Sequence, residues 1–409
     1  MNISTKLLKA AAGSAGGAGL DVDEVFSTFL YDGTGSNLEI NNGIDLSSEG
    51  GLIWVKRRNG SDGHWLVDTE RGLNKSLQSH STNADNTGSD QIVSFDSDGF
   101  TLGNRNEGQN YSGLPYVSWT FRKAPKFFDV VTYTGSGENG QTITHDLGVA
   151  PGMVIVKDTS SSGKWYVYHR SLNSGEHLKL NATDGVSTDS NYEIGKTTAS
   201  STEFSIDTGS EIDYSGNTYV AYLFAHNNGD GGFGPDSDQD IIKCGSYTGN
   251  GSSTGPTVNL GFEPQFLIVK RTDDSGRNWN VYDSMRGFFG TNSREINWNL
   301  SNAEQYRGML PTSTGFQPKA TSFQINASGG NYIYMAIRRG PLAAPTDATK
   351  VFAIDTMGST GDGNAPSFRS TFPVDMAMRV DTSGANKEIA ARLMGSKWLY
   401  TNTTDAGAN

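Results

Sequence analysis

The stretch Phe266-Leu267-Ile268-Val269-Lys270, followed by Trp279-Asn280-Val281-Tyr282-Asp283, decides the fold. Four apolar residues end in a lysine, and a polar segment of Asp, Ser and Gly separates them from a second run with Trp279, Val281 and Asp283 on one side. An unbroken apolar run predicts a strand buried on both faces, and alternation with a period of two predicts a half-buried strand. With the polar segment as a turn, the stretch predicts a β-hairpin.

The same unit occurs twice more in the chain. It occurs as Leu52-Ile53-Trp54-Val55-Lys56 with Trp65-Leu66-Val67-Asp68, and as Met153-Val154-Ile155-Val156-Lys157 with Trp165-Tyr166-Val167-Tyr168-His169. The three lysines lie 101 and 113 residues apart, and the tryptophans at positions 65, 165 and 279 lie 100 and 114 residues apart. Two anchors that keep nearly the same spacing indicate an internal duplication.

Strand-like runs at the start and end of each copy give the repeat boundaries. The closing runs begin at Tyr116, Tyr219 and Tyr332, which lie 103 and 113 residues apart. The repeats therefore cover residues 25–126, 127–234 and 235–345, with a Gly- and Asp-rich hinge at 227–240 between the second and third. A unit of about 105 residues is too long for a solenoid repeat and suits an independent sandwich of about seven to nine strands. The sequence predicts an all-β protein of tandem, jelly-roll-like β-sandwich domains.

The two end segments differ from the repeats. Residues 1–24 contain two lysines and then a Gly- and Ala-rich run, which predicts a short flexible or helical arm that docks on another protein. Residues 346–409 begin a fourth copy, with Phe352-Ala353-Ile354-Asp355 as its opening strand, Phe372–Arg379 as its middle strand and Trp398-Leu399-Tyr400 after it. Because half a sandwich exposes strand edges and core, either the chain belongs to a longer protein, which we favour, or a neighbouring subunit completes the fold.

Composition excludes several classes of function. The 409 residues carry a net charge of −12, which disfavours a nucleic-acid binder because such a protein needs a positive face for the phosphates. The single cysteine, Cys244, leaves no intrachain disulfide and no thiolate metal cluster. The sequence contains no apolar run approaching the roughly 20 residues that span a bilayer, so we expect no membrane insertion.

Three local motifs match catalytic or binding patterns by letter only. Gly229–Gly234 fits the dinucleotide fingerprint without a βαβ unit around it, and Gly251–Gly255 fits the nucleophile elbow within a loop. Asp236–Asp240 resembles the start of a calcium loop but lacks its later glycine and acid. The six histidines show no metal-ligand spacing, and no acid pair recurs in all three repeats. We therefore expect no enzyme activity, no catalytic residue, no cofactor and no metal.

One polar motif recurs in two of the three repeats. Asp68…Arg71-Gly72 and Asp283…Arg286-Gly287 follow the hairpin in the first and third copies, and His169 stands in the place of the aspartate in the second. We interpret the motif as a turn in which the carboxylate accepts backbone amides and the arginine pairs nearby. A binding site is the alternative interpretation.

Three features together resemble a known family. They are the opening Ile3-Ser4-Thr5-Lys6-Leu7-Leu8-Lys9, the run from Asn41-Asn42-Gly43 to Lys56, and the recurring Pro-x-x-x-Ile-Val-Lys strand. In these features the chain resembles the tandem-repeat virion structural proteins of marine tailed phages, particularly cyanophages, which include tail-fibre-like proteins. The resemblance covers nearly the whole chain and brings no catalytic residues with it.

The resemblance implies a virion structural protein that is assembled in the host cytoplasm. The leading expectation is a tail fibre or fibre-anchoring component that supports host attachment. The arm would dock on the particle through Ile3, Lys6, Leu7, Leu8 and Lys9, and the sandwiches would form a stalk leading outward. Expected partners are other virion proteins of the tail or portal-proximal region, and the chain would form a homotrimer. The alternatives are a lectin-like module that binds host surface glycan and, less favoured, a polysaccharide depolymerase.

Overall fold

The computed structural model describes residues 19–87, 91–104, 108–188, 193–207, 211–342, 348–354, 370, 372, 374–380, 387–391 and 398–402. These residues are almost entirely strands joined by turns, so the predicted all-β fold class is confirmed. One four-residue helix, α1 (Leu46–Glu49), and two 3-10 turns, Val22–Glu24 and Ala348–Lys350, are the helical segments in these ranges.

The strands follow one another in three similar series. The first repeat has β1 (Phe26–Asp32), β2 (Leu38–Asn41), β3 (Gly51–Arg57), β4 (Trp65–Asp68), β5 (Lys75–Ser76), β6 (Asn86–Thr87), β7 (Ile92–Asp96), β8 (Gly99–Leu102) and β9 (Pro115–Arg122). The second has β10 (Phe128–Thr134), β11 (Gln141–Thr144), β12 (Met153–Asp158), β13 (Trp165–His169), β14 (Leu178–Lys179), β15 (Glu193–Ala199), β16 (Glu203–Asp207) and β17 (Thr218–Phe224). The third has β18 (Ile242–Thr248), β19 (Val258–Asn259), β20 (Pro264–Arg271), β21 (Trp279–Asp283), β22 (Arg294–Asn297), β23 (Gln305–Tyr306), β24 (Met309–Thr312), β25 (Gly315–Pro318) and β26 (Asn331–Arg338). The tail has β27 (Met376–Arg379), β28 (Glu388–Ala391) and β29 (Trp398–Tyr400).

Each repeat has the same two-sheet topology. In the larger sheet the opening strand pairs with the closing strand, and the closing strand pairs with the first strand of the hairpin. The strand orders are β1-β9-β3-β4, β10-β17-β12-β13-β14 and β18-β26-β20-β21-β22-β23. A three-stranded sheet covers the larger one, with the orders β2-β8-β7, β11-β16-β15 and β19-β25-β24. All of these pairings are antiparallel, as expected for a β-sandwich.

The first strand of the hairpin is buried on both faces, as predicted. In the third repeat, Leu267 and Val269 pack with Phe316 of the covering sheet, while Phe266 and Ile268 face the opposite side. The partner strand β21 is buried at every position, so the expected half-buried strand was wrong. Its second face is covered because a neighbouring repeat lies against it.

The three repeats share a central cluster of buried side chains, and the first and third repeats each have a further buried cluster of their own. A single cluster of buried side chains contains Trp54 and Trp119 of the first repeat, Tyr222 of the second, and Phe266 and Trp298 of the third. Each larger sheet therefore has two apolar faces, one against its own covering sheet and one against the other repeats. The described residues form a closed ring of three repeats, and a stalk of repeats placed end to end was wrong.

The hairpin register corrects the alignment of the repeated tryptophans. Trp165 and Trp279 pair with the repeated lysines of their hairpins, whereas in the first repeat the pairing puts His64, not Trp65, at that place. His64 is fully buried and stacks at 6.5 Å from Trp119, and Trp65 is half-buried on the opposite face. A one-residue shift changes the face because successive strand residues point to opposite sides.

The opening and closing tyrosines form a stacked pair in each repeat. In the second repeat the rings of Tyr133 and Tyr219 are 4.9 Å apart, and the backbone N–H of Tyr214 donates to the Tyr219 hydroxyl at 2.8 Å. Gly135 follows the opening strand because a Cβ there would lie 2.3 Å from the carbonyl oxygen of Tyr214. The same pairs recur as Tyr31 with Tyr116 and Tyr247 with Tyr332.

The two ends of the ring meet at one pole, here called the terminal pole (residues 19–25 and 339–342). The Asp21 carboxylate accepts the backbone N–H of Leu342 at 3.0 Å, and the N–H of Gly234 donates to the carbonyl of Leu20 at 2.9 Å. The predicted hinge segment therefore packs against the start of the ring. The hairpin loops at residues 58–64, 159–164 and 272–278 lie at the opposite end of the strands, here called the loop pole.

The tail forms a separate three-stranded sheet, in the order β27-β28-β29. Arg339 of the ring pairs with Asp375 at 2.9 Å. The expected opening strand was wrong, because Phe352 and Ile354 are not in a strand and are 66% and 87% exposed.

Candidate functional site

The residues predicted to dock on the particle, Ile3, Lys6, Leu7, Leu8 and Lys9, lie outside the described residues. The remaining candidates lie at the three seams between repeats. At every seam, the carbonyl two residues after a repeated lysine accepts a backbone N–H from the neighbouring repeat. These contacts are Asp85 to Thr159 at 3.0 Å, Val186 to Thr272 at 2.7 Å and Glu304 to Arg58 at 2.8 Å.

The Asp68…Arg71 motif forms a buried ion cluster at the seam between the first and second repeats. Asp68 accepts the backbone N–H of Arg71 at 2.9 Å and its Nε at 2.7 Å, as the predicted turn requires. The guanidinium also pairs with Asp85, and Asp68 accepts the hydroxyl of Tyr222 at 2.8 Å. Burial opposes the positive charge, but Asp68, Tyr222 and Asp85 together raise the pKa of Arg71 above its ordinary value.

The third repeat repeats this cluster at its seam with the first. Asp283 accepts the backbone N–H of Arg286 at 2.8 Å and its Nε at 2.5 Å. Glu304 lies 3.8 Å from the Arg286 guanidinium, and the indole N–H of Trp119 donates to Asp283 at 3.0 Å. The acid, arginine, acid set is thus the same, although the second acid is 17 residues from Asp68 and 21 from Asp283 along the chain.

The second repeat replaces this ion cluster with other side chains. The positions of Asp68, Arg71 and Asp85 are held by His169, Leu172 and Val186. Leu172 and Val186 pack against the shared core, and His169 Nε2 lies 3.0 Å from the carbonyl oxygen of Tyr334 in the third repeat. Because all three members change together at a contact between repeats, we interpret the recurring motif as a contact that joins repeats.

The repeated lysines are buried at the loop pole. Lys56 Nζ donates to the carbonyls of Arg57 and Gly60 at 2.6 and 3.0 Å, and Lys270 Nζ donates to those of Arg277 and Thr183 at 2.5 and 3.3 Å. Burial lowers the pKa of Lys56 to about 8 and that of Lys270 to about 7. Burial likewise lowers the pKa of Lys157 to about 8. The lysines close the hairpin loops by holding backbone carbonyls.

The histidines also make contacts that fix the backbone. His64 Nδ1 accepts the indole N–H of Trp54 at 2.9 Å, so its other nitrogen donates to the carbonyl of Asn297 at 3.0 Å. Burial lowers the pKa of His64, and it lowers the pKa of His169 to about 4. Across the described ranges, no group of three or more His, Cys, Asp or Glu side chains is placed to hold a metal ion.

The glycine-rich segment Gly229–Gly234 binds a carboxylate of the chain itself. The backbone N–H groups of Gly229 and Gly231 donate to the Asp240 carboxylate at 2.9 to 3.1 Å. A carboxylate therefore occupies the amides that a phosphate would use, and Asp240 is unavailable for the calcium loop suggested by Asp236–Asp240. The Gly251–Gly255 motif lies in an exposed turn, where the N–H of Thr254 donates to Ser252 Oγ.

Two clefts involve the second repeat, one on its seam with the third repeat and one lined by residues of the second repeat alone. The cleft at the loop pole has a volume of about 620 Å³ and is lined by Lys179, 184–187 and 272–275, most of them polar. The other cleft is near the hinge segment and has a volume of about 440 Å³. We call it the Arg170 cleft, and its lining is Val149, Ala150, Pro151, Tyr168, Arg170, Ala199, His226, Asn228 and Asp230.

Comparison with known proteins finds one family. A family model described as a domain of unknown function (DUF7483) matches residues 21–341, which is more than three quarters of the chain. The match begins at Asp21 and ends at Pro341, the two places where the ends of the ring meet. Neither the curated proteins nor the solved structures contain a match to this chain. In the described part of the chain, no helix is long and apolar enough to cross a membrane.

Proposed function

We propose that this chain, which belongs to the DUF7483 family, is a non-enzymatic structural protein of a phage virion. Its role is that of a tail-fibre or fibre-anchoring component, which docks through the residues before Gly19 and supports host attachment. The resemblance of residues 3–13 and of the repeated strands to marine phage structural proteins supports the phage origin. The closed ring supports a scaffold.

The observation that carries the proposal is the way the polar groups at the seams are used. Asp68, Arg71 and Asp85 bond to one another, and the repeated lysines bond to carbonyl oxygens. Such groups hold repeats together and leave the loops of the two poles as the surface for partners. A ring with three seams and one core suits a part that must keep its shape between other virion proteins.

A deletion tests the docking role. Residues 2–18 are removed, which leaves Gly19 and the Asp21 contact with Leu342 in place. We expect the shortened chain to unfold at the same urea concentration as the full chain and to be missing from purified particles. As a control, deletion of residues 403–409 leaves incorporation unchanged. Normal incorporation of the chain without residues 2–18 contradicts the docking role.

The oligomeric state is a separate part of the proposal. Fibres are commonly trimers, and the expectation from the sequence is a homotrimer. The ring already places three repeats around one core within a single chain, so the ring itself needs no second copy. A trimer would therefore be an association of three such rings. Sedimentation that gives only monomer for the full chain at micromolar concentrations contradicts the trimer.

Binding of host surface glycan is the second candidate function, and the two clefts favour it. Both clefts are open and expose more polar than apolar surface. Sugar sites in proteins combine hydrogen-bonding groups with a few apolar side chains in a concave surface. A glycan array probed with the purified chain tests this candidate, and signal no higher than background removes it.

A further inference from the structure

We propose that the Arg170 cleft binds an acidic sugar of a host surface polysaccharide, one that carries a carboxylate or sulfate group. This inference rests on the proposed role in host attachment and names the ligand class and residues for it. The cleft contains two cationic or donor groups, Arg170 and His226, and two groups suited to sugar hydroxyls, Asn228 and Asp230.

The Arg170 guanidinium is free to take an anion. Within the ranges that the structure describes, its side chain forms no ion pair and no hydrogen bond, and the residue is exposed at the cleft. Burial raises the pKa of the nearby Tyr168 hydroxyl, and the charge of Arg170 partly offsets that effect. A guanidinium binds carboxylate and sulfate groups through two parallel N–H donors.

His226 adds a directed donor to the same cleft. Its Nδ1 accepts the backbone N–H of Cys244 at 3.1 Å, so the proton of the neutral imidazole is on Nε2. The half-buried ring lines the cleft. The Cys244 contact fixes the ring in place, which makes the Nε2–H donor preorganised for a ligand.

Comparison with the other repeats indicates why this cleft is open to a ligand. The positions that correspond to His226 are Lys123 and Arg339. Lys123 pairs with Glu70 at 2.7 Å and Asp129 at 3.3 Å, and Arg339 pairs with Glu263 at 3.1 Å. The chain thus supplies its own carboxylates at the other two places.

The two positions that correspond to Glu70 and Asp129, one in the second repeat and one in the third, hold no acid. Ser171 stands in the place of Glu70, and Lys243 stands in the place of Asp129. The Arg170 guanidinium is then the charge in this cleft that an acidic ligand would pair with. The remaining wall is apolar, from Val149, Ala150 and Pro151, and suits the C–H face of a sugar ring.

Calorimetric titration of the purified full chain tests the proposal. The probes are a tetramer of galacturonic acid, a sulfated galactose tetramer, a neutral galactose tetramer of equal length, and inorganic sulfate alone. We expect an acidic tetramer to bind, with at least about tenfold weaker binding to the neutral one, because a hydrogen bond to a charged group contributes about 1.5–3 kcal/mol. Inorganic sulfate binding as tightly as the tetramers would reduce the site to an anion site and overturn the sugar assignment.

Variants locate the binding. Arg170→Gln is expected to weaken binding of the acidic tetramer about tenfold or more. Arg57→Gln, which removes the same charge at the partly exposed end of β3 in the first repeat, is expected to leave that binding unchanged. In His226→Asn, the amide oxygen replaces Nδ1 as the acceptor for Cys244, and the shorter side chain places no donor where Nε2–H was, so we expect weaker binding in a folded chain. Equal loss in Arg57→Gln, or none in Arg170→Gln, overturns the proposal. Because titration uses purified chain, its failure is distinct from failure of particle incorporation.

Discussion

The ion cluster at the first seam gives the sharpest prediction. Arg71→Leu leaves Asp68, which is fully buried, and Asp85 without their cation. It also removes the donor to the carbonyl of Leu66 at 3.1 Å. Breaking a buried pair by removing one partner destabilises by about 3–5 kcal/mol, since each buried group left unpaired contributes roughly 1–3 kcal/mol. We expect a loss of this size in the free energy of unfolding.

The second repeat supplies the compensating change. The triple variant Asp68→His, Arg71→Leu and Asp85→Val gives the first seam the residues that His169, Leu172 and Val186 hold at the second. Replacing a buried ion cluster by packed apolar side chains is often neutral. We expect the triple variant to lie within about 2 kcal/mol of the natural chain and above the single variant.

Urea unfolding followed by tryptophan fluorescence measures these differences, because Trp119 and Trp165 lie in the shared core. Arg57→Leu is the control. The Arg57 side chain is partly exposed and bonds to Asp62 and Asn59, and losing a surface ion pair of this kind costs about 1 kcal/mol or less. A triple variant no more stable than Arg71→Leu alone refutes the interpretation that the two residue sets are equivalent seams.

Three further predictions concern stability. Burial lowers the pKa of His169 to about 4, so at lower pH the unfolded chain binds a proton that the folded chain does not. The free energy of unfolding should therefore fall by about 3 kcal/mol as the pH drops from about 6.5 to 4. Urea midpoints that fall equally with pH in His169→Asn contradict this. Burial raises the pKa of Asp213, whose place is held by asparagine in the other repeats. Asp213→Asn should therefore raise the stability at neutral pH, measured by thermal unfolding, and Asn326→Asp should lower it. Residues 19–345 should fold cooperatively whereas residues 25–126 alone should not, because the shared core is supplied by all three repeats; a folded first repeat, seen by circular dichroism and NMR dispersion, contradicts the shared core.

Much of each repeat could be predicted from the sequence, but the assembly of the repeats could not. The apolar run ending in Lys270 predicts a strand buried on both faces, which is confirmed. The sequence of one repeat does not show whether the second apolar face of a strand packs against a sheet of the same repeat or against another repeat. The ring was therefore not predicted. The tryptophan alignment failed because Trp65 matched by residue type while His64 matched by position.

The candidate site was only partly visible in the sequence. The turn with Asp68 and Arg71 was predicted correctly from its spacing. Its second acid could have been found by comparing repeats, since Leu172 and Val186 replace arginine and acid together. No sequence pattern pointed to Arg170. Its proposed role depends on the absence of carboxylates at positions near it in the fold, and those positions belong to different repeats. The docking residues Ile3 to Lys9 stay a prediction.

The contact between Asp21 and Leu342 determines how a pulling force would act on this protein. Tension applied between the segments before and after the ring reaches the carboxylate–amide contact first and peels it, one bond at a time. The segments before and after the ring leave it side by side at this contact, so a force between them pulls on the terminal pole and leaves the three seams and both clefts to one side of its line.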